Sequence, residues 1–277
     1  FRFNGWNGTE HVPHHFEVVV HFAAAAHHIA DARNVRAIAG TSWNRVLFEY
    51  VNVAARHLRV SHQVAGCGEC GQTSADDVRV LVVHAHPVET SFNRALFNTT
   101  VSALKEAGHD VDACNLYEEG FDAVLSREER LEYHEVPQNI TPAIKPYVDR
   151  LRAADGIVFV HPVWNYGYPA ILKGYFDRIF LPGVSFVLIG GEGSDRGKLV
   201  PNLRHIKKVA YVTHYGGDRL RTIAMGDPPR RLARRWAWAM FGSLLPPKYL
   251  ALYNIDNCTA SQRSAFIEKV RSTMRAF

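Results

Sequence analysis

Val78-Arg-Val-Leu-Val-Val-His-Ala-His-Pro-Val-Glu-Thr-Ser-Phe-Asn93 is the stretch whose reading decides the fold. Its first half, Val78 to Val83, is a short run dominated by valine, the pattern of a parallel strand covered on both faces. Thr90 and Ser91 then stand where an amphipathic helix opens. That helix is expected from Ser91 to about Ala107 and stops at Gly108, where a left-handed cap is favoured. Strand, loop and helix in this order are the first half of a βαβ unit.

The same grammar returns about seventy residues later. Gly156–His161 reads as a buried strand, Pro162-Val-Trp-Asn-Tyr-Gly167 as its exit loop, and Pro169 to Phe180 as a helix. Between them lie a strand at Asp110–Asn115, a short helix near Ser126–Tyr133 and a helix from about Pro142 to Ala153, with Pro142 placed in the first turn. Beyond them come a Gly-rich loop at 190–197, a strand at Lys208–Thr213, a basic helix from about Pro228 to Phe241, a strand at Tyr249–Tyr253 and a last helix at Ser261–Arg275. Five strands alternating with helices predict an α/β fold, a doubly wound five-stranded parallel sheet of order 2-1-3-4-5 with helices on both faces. That order sets the first and third strands side by side, so their exit loops meet at the switch point where ligands bind.

The loops carry ligand chemistry. Thr90, Ser91, Phe92 and Asn93 open a helix, so unpaired N–H groups and hydroxyl donors face the loop and favour an anion such as phosphate. Opposite, Trp164 and Tyr166 can cover one face of a ring system, with backbone N–H groups left for ring carbonyls. A third loop, Thr213-His-Tyr-Gly-Gly217, has paired glycines, Gly216 and Gly217, that let a ligand approach the backbone. A flat aromatic cofactor with a phosphate tail suits this set, and flavin is the candidate.

Other motifs are missing or incomplete. No G-x-G-x-x-G follows the first strand, and Gly197-Lys198 lacks the first glycine and the Ser/Thr of a P-loop. Cys67-Gly-Glu-Cys70 has zinc-type spacing without a second cysteine pair, so even with His57 and His62 nearby no metal site is expected. The four cysteines are too scattered for a disulfide framework, which points to a reducing cytoplasm. No apolar run approaches the roughly 18 residues that span a bilayer. With 47% hydrophobic and 21% charged residues the chain has the composition of a soluble globular protein rather than a disordered one.

Residues 1–77 break the rhythm. They hold eight of the fifteen histidines and show no βαβ pattern, although Trp43 to Leu58 has a helical period. They are expected to be a poorly structured N-terminal extension, irregular or non-native, and residues 78–277 the functional domain. The excess positive charge lies in that domain, with ten Lys/Arg against two acids from Arg204 to Lys248. A solvated helix face accounts for most of it; Arg219 and Arg221, just past the glycines, are placed to meet a phosphate.

These residues resemble the flavodoxin-like NAD(P)H:quinone oxidoreductase family, which includes animal quinone reductases, bacterial drug-activity modulators and ancillary subunits of potassium-efflux systems. The resemblance runs from about Val78 to Phe277 and is sharpest at His86-x3-Thr-Ser-Phe-Asn93, Pro169-Ala-Ile-Leu-Lys-Gly-Tyr-Phe-Asp-Arg-Ile-Phe180 and Thr213-His-Tyr-Gly-Gly217. It implies a flavin, FMN or FAD, held on the phosphate side by His86, Thr90, Ser91, Phe92 and Asn93. Pro162, Val163, Trp164, Asn165 and Tyr166 would lie along the isoalloxazine, and Thr213, Gly216 and Gly217 near its polar edge. It also implies ping-pong chemistry, in which NAD(P)H reduces the flavin and leaves before a quinone-like acceptor enters, and a homodimer. One departure stands out. The animal enzymes carry a tyrosine and a histidine after the paired glycines, and Asp218-Arg-Leu-Arg-Thr-Ile-Ala-Met-Gly-Asp227 has neither at the matching place. Proton delivery then falls to solvent, Tyr215 or His214. A flavodoxin-type electron carrier and a regulatory subunit on a membrane transporter, a peripheral membrane-protein partner, are the alternative classes; nucleic acid is not expected.

Overall fold

The computed structural model describes residues 78–189, 198–243 and 246–277. The expectations for residues 1–77, the Cys67–Cys70 pair and the Gly-rich loop at 190–197 lie outside the described residues. A parallel sheet is built from β1 (Arg79–His84), β2 (Asp110–Asn115), β3 (Gly156–Val163), β6 (Lys208–Tyr215) and β7 (Lys248–Leu252), in the order β2-β1-β3-β6-β7. This is the predicted 2-1-3-4-5 arrangement. Between β3 and β6 in the chain, β4 (Phe186–Ile189) and β5 (Lys198–Pro201) form a separate antiparallel pair that the sequence pattern did not announce.

Burial explains why these runs are strands. Every residue of β3 is buried, and so are Val80 to His84 of β1, because both faces of a central parallel strand are covered. The edge strands β2 and β7 are only part-buried and carry charged residues at Asp110, Asp112 and Lys248. One face packs on α1 (Phe92–Glu106) and α7 (Ala260–Arg275) through Leu96, Phe97, Leu104, Phe266, Val270 and Met274. The other packs on α3 (Lys145–Ala153), α4 (Ala170–Ile179) and α6 (Pro228–Phe241), with Leu151, Leu172, Tyr175, Ala233, Ala237 and Phe241 against the sheet. Two short helices complete the set, α2 (Arg127–Leu131) and α5 (Arg219–Ala224), the latter unforeseen.

Local chemistry sets the boundaries. The Ser91 hydroxyl caps α1 by accepting the Arg94 N–H at 3.1 Å, and Gly108, at φ 88°, ends it as expected. The helix expected from Pro142 starts later, at Lys145. Ile144 turns back on Thr141 and buries in the core, and it is Pro146 that occupies the first turn. β3 runs two residues past His161, pairing Pro162 with His214 and Val163 with Tyr215. A proline is tolerated there because the side of β3 that bonds β1 has run out of partner: the Val160 carbonyl takes the Ala85 N–H, and β1 ends at His84. Gly174 is fixed by space. A Cβ on it would overlap the Ala123 carbonyl oxygen, so α4 can lie against that loop only with glycine here.

Under α4 sits a buried ion pair. Arg178 donates from Nε to Glu129 of α2 at 3.0 Å and from Nη2 at 2.5 Å, and it also donates to the Asp122 carbonyl. Burial alone would raise the Glu129 carboxyl, but the hydrogen bonds and charge of Arg178 outweigh it and hold the group below its ordinary range.

Candidate functional site

The carboxyl ends of β1, β3 and β6 bring the three predicted loops together. His86, after β1, and Trp164, after β3, have ring centroids 5.8 Å apart. Phe92, at the start of α1, and His214, at the end of β6, meet edge to face at 5.9 Å. A Cβ on Gly217 would stand 3.7 Å from the Tyr166 hydroxyl, so the β3 and β6 loops touch as well.

The β3 loop is held in an uncommon shape. Trp164 and Gly167 exchange backbone hydrogen bonds at 2.8 and 3.2 Å, and the two residues between them, Asn165 and Tyr166, have φ of 49° and 56°. Left-handed backbone at two successive non-glycine residues is the primed turn of a two-residue hairpin, and for tyrosine it is strained. Strain of this kind persists where the surroundings over-determine it, and it concentrates at ligand sites. The turn presents Trp164 to solvent, 42% exposed, instead of folding it into the core.

The α1 loop leaves backbone donors open. The N–H groups of its first turn have no intrahelical acceptor. Ser91 Oγ is spent on the cap, and His86 Nδ1 accepts the Val88 N–H at 3.1 Å, which orients the ring. Thr90 is exposed, whereas Asn93 is fully buried and neither of its side-chain polar atoms has a partner among the described residues. A cavity of about 240 Å³ adjoins this loop, lined by His86, Glu89, Arg94, Asn115, Tyr117 and Glu118.

Further polar atoms without a partner sit at the same end of the sheet, on both of its faces. Thr213 Oγ1, His161 Nε2 and His214 Nε2 are buried without a partner among the described residues. His161 Nδ1 donates to the Pro162 carbonyl at 2.8 Å, which leaves Nε2 as an acceptor. Burial lowers the pKa of His161 and of His214 to about 4, and that of His86 in the same direction, so these rings are neutral at pH 7.

Other expected residues are placed differently. Tyr215 points away from the loops: its hydroxyl donates to Asp227 Oδ1 at 2.7 Å and lies 2.7 Å from the Tyr249 hydroxyl, and burial raises its pKa. Pro162 and Val163 are buried strand residues and contribute backbone. Gly216 and Gly217 do not need left-handed φ; space is what they supply, since a Cβ on Gly216 would approach Asp256 Oδ2 to 3.2 Å. Asp256 belongs to a fourth loop, after β7, where the Asn254 N–H donates to the Gly217 carbonyl at 2.9 Å. The Asn/Asp cluster at 254–257 was the available signal for it. His161, at the strand's buried end, gave none.

With this geometry in place, a family model described as flavodoxin-like fold matches residues 78–235. The chain belongs to that family. Among curated relatives, it is 34% identical over 125 residues to NAD(P)H dehydrogenase [quinone] 1 of Rattus norvegicus, a match covering 39% of this chain and 45% of the relative. It is 29% identical over 148 residues to an uncharacterized NAD(P)H oxidoreductase of Escherichia coli, covering 53% and 69%. A solved structure from Streptococcus mutans superposes with a TM-score of 0.61 at 26% identity, over 72% of this chain and all of that one. The match to the rat enzyme thus spans less than half of its length. Within this flavodoxin-like fold, among the described residues, no helix is long and apolar enough to cross a membrane and no cluster of His, Cys, Asp or Glu is disposed to hold a metal ion.

Proposed function

We propose that residues 78–277 form a flavin-binding domain and that the protein is an NAD(P)H oxidoreductase reducing quinones or similar acceptors in a ping-pong cycle. The observation that carries this reading is a set of buried polar atoms at the carboxyl end of the sheet that have no partner among the described residues: Asn93, Thr213, His161 and His214. Leaving such groups unpaired costs about 1–3 kcal/mol each, a cost a ligand repays. Their character fits FMN or FAD: an anion site at α1, an exposed indole to lie along a ring system, and amide and imidazole groups for carbonyls and ring nitrogens. The names of the relatives support the nicotinamide and quinone parts.

In this reading Thr90, Phe92 and Asn93 hold the phosphate, and His86 positions the Trp164 indole. Trp164 and Tyr166 lie along the isoalloxazine, Asn165 shapes their turn, and Thr213, Gly216 and Gly217 border its polar edge. When bound, the flavin supplies two-electron chemistry between a nicotinamide and an acceptor. Neutral His214, with Nε2 unengaged beside Phe92, is the residue we assign to proton handling. The Tyr215 hydroxyl is committed to Asp227 and Tyr249. Hydride transfer through a flavin needs no activated nucleophile from the protein. A second copy of the chain finds support in the β4–β5 pair, whose Val187, Leu188, Ile189 and Leu199 are exposed beside a groove of about 430 Å³.

Purification with a flavin absorbance spectrum, identification of the released flavin by mass and its rapid bleaching by NAD(P)H test the reading. A colourless protein that takes up neither FMN nor FAD refutes it. Flavin that is bound but not bleached makes the chain a carrier.

A further inference from the structure

One face of α6 concentrates positive charge. Arg231, Arg234, Arg235 and Trp238 follow one another at i, i+3, i+4 and i+7, so they form a single stripe, and all four are exposed. The opposite face, Ala233, Ala237, Met240 and Phe241, is buried. The stretch of chain around the stripe is short of acids. The only acids between Arg204 and Lys248 are Asp218, which caps α5 and accepts from the Arg221 N–H, and Asp227, which accepts from Tyr215. No ion pair involves Arg231, Arg234 or Arg235 among the described residues. At one end the stripe closes on Trp238, 51% exposed. At the other it meets the corner between α5 and α6, where a Cβ on Gly226 would stand 3.4 Å from Arg231 Nη1. That corner carries Met225 and follows Leu220 and Ile223, 81% and 58% exposed, which share one side of α5.

We infer that this surface docks the protein on an anionic lipid bilayer. Three arginines without acids supply the attraction, since each cation near such a surface adds about 1 kcal/mol. Trp238 and the aliphatic residues of α5 supply what phosphate binding alone does not call for: an indole that favours the headgroup level and apolar side chains that enter the acyl boundary. A nucleic-acid backbone would satisfy the arginines and leave those apolar groups in water. A second copy docked symmetrically on the stripe would set arginine against arginine. The α6 helix does not bury its own apolar side in the lipid, because that side is the protein core; the contact is a fixed patch on a folded domain. The inference rests on surface chemistry alone and stands or falls independently of the redox reading.

Co-sedimentation of the full chain with phosphatidylcholine vesicles, with and without phosphatidylglycerol, tests it. Sedimentation only with the anionic vesicles, reversed by raised salt, is expected. The Arg231→Gln, Arg234→Gln, Arg235→Gln variant should lose partitioning by on the order of a hundredfold, the product of three such contacts. Trp238→Ser should weaken it several-fold, and wild-type tryptophan emission should shift to the blue on binding by an amount that Trp238→Phe removes. Circular dichroism verifies that the variants fold. Equal sedimentation with neutral vesicles, or none with either, overturns the inference. So does a triple variant that binds like the wild type. Tighter binding to duplex DNA than to anionic vesicles at the same salt, indifferent to Trp238, would make nucleic acid the occupant. A dimer that Trp238→Ser dissociates, with no vesicle binding, would make it a second copy.

Discussion

Two groups of buried polar side chains occupy the same domain and behave in opposite ways. Beneath α4, Arg178 and Glu129 are almost fully buried and bonded to each other, with the Asp122 carbonyl and the Thr141 hydroxyl completing the set. At the carboxyl end of the sheet, Asn93, Thr213 and His161 are as deeply buried and His214 is half-buried, and each has a buried atom without a partner among the described residues. The first group holds helix to helix. The second leaves its bonding capacity open where the loops converge. Neither burial nor a missing partner marks the site by itself, since the core hydroxyls of Tyr175 and Tyr211 also lack partners among the described residues; what distinguishes the second group is its place where the loops converge.

The largest expected effect tests the paired group. Glu129→Ala leaves the Arg178 charge buried and should cost about 3–5 kcal/mol in urea unfolding. Flavin affinity of the folded fraction should not change, and a matching loss of affinity would show that the two groups are not separate. On the ligand side, Trp164→Ala with Tyr166→Ala should weaken flavin binding by roughly 1–3 kcal/mol per ring, read by titration of the apoprotein, without lowering its stability. Wild-type affinity in that double variant would move the site elsewhere.

Acid should act on both groups in the same direction. His161 has a folded pKa below its unfolded value, so the unfolded chain binds more protons between about pH 6.5 and pH 4. Stability must fall as pH drops through that window, by up to roughly 3 kcal/mol for this fully buried ring. Glu129, also lowered, contributes stability that is present above its unfolded pKa and lost as pH falls through the folded one. Unfolding midpoints measured from pH 7 to pH 4 should decline steadily, and bound flavin that bonds the neutral rings should steepen the decline. A flat profile contradicts the burial of His161.

Smaller effects sharpen the assignment of roles. Tyr215→Phe removes hydrogen bonds to Asp227 and Tyr249 and should cost about 1–3 kcal/mol of stability while leaving turnover intact. A collapse of kcat would return Tyr215 to the chemistry. Smallest of all, Arg219→Ala with Arg221→Ala should lower kcat/KM a few-fold and for NADPH alone, because Arg221 already lies near Asp218 at 3.8 Å. An equal effect on NADH removes these arginines from nucleotide recognition.

Strand order and loop positions were legible in the chain's apolar runs. Val80–Val83, Gly156–Val160 and Lys208–Thr213 are apolar runs that only a sheet covered on both faces can bury, and the helices between them force parallel crossovers. Ser91 and Gly108 marked the ends of α1 because a cap depends on neighbours a few residues away. Where the decisive partner is distant, the sequence was silent. The β4–β5 pair, the committed hydroxyl of Tyr215 and the approach of Asp256 to Gly216 each join residues separated by a turn or a strand crossing. Whether Asn93 is paired or orphaned, and whether His161 is neutral or charged, depends on what packs around them. Hydrogen bonding and desolvation are properties of the space around an atom, and only the tertiary structure decides that space.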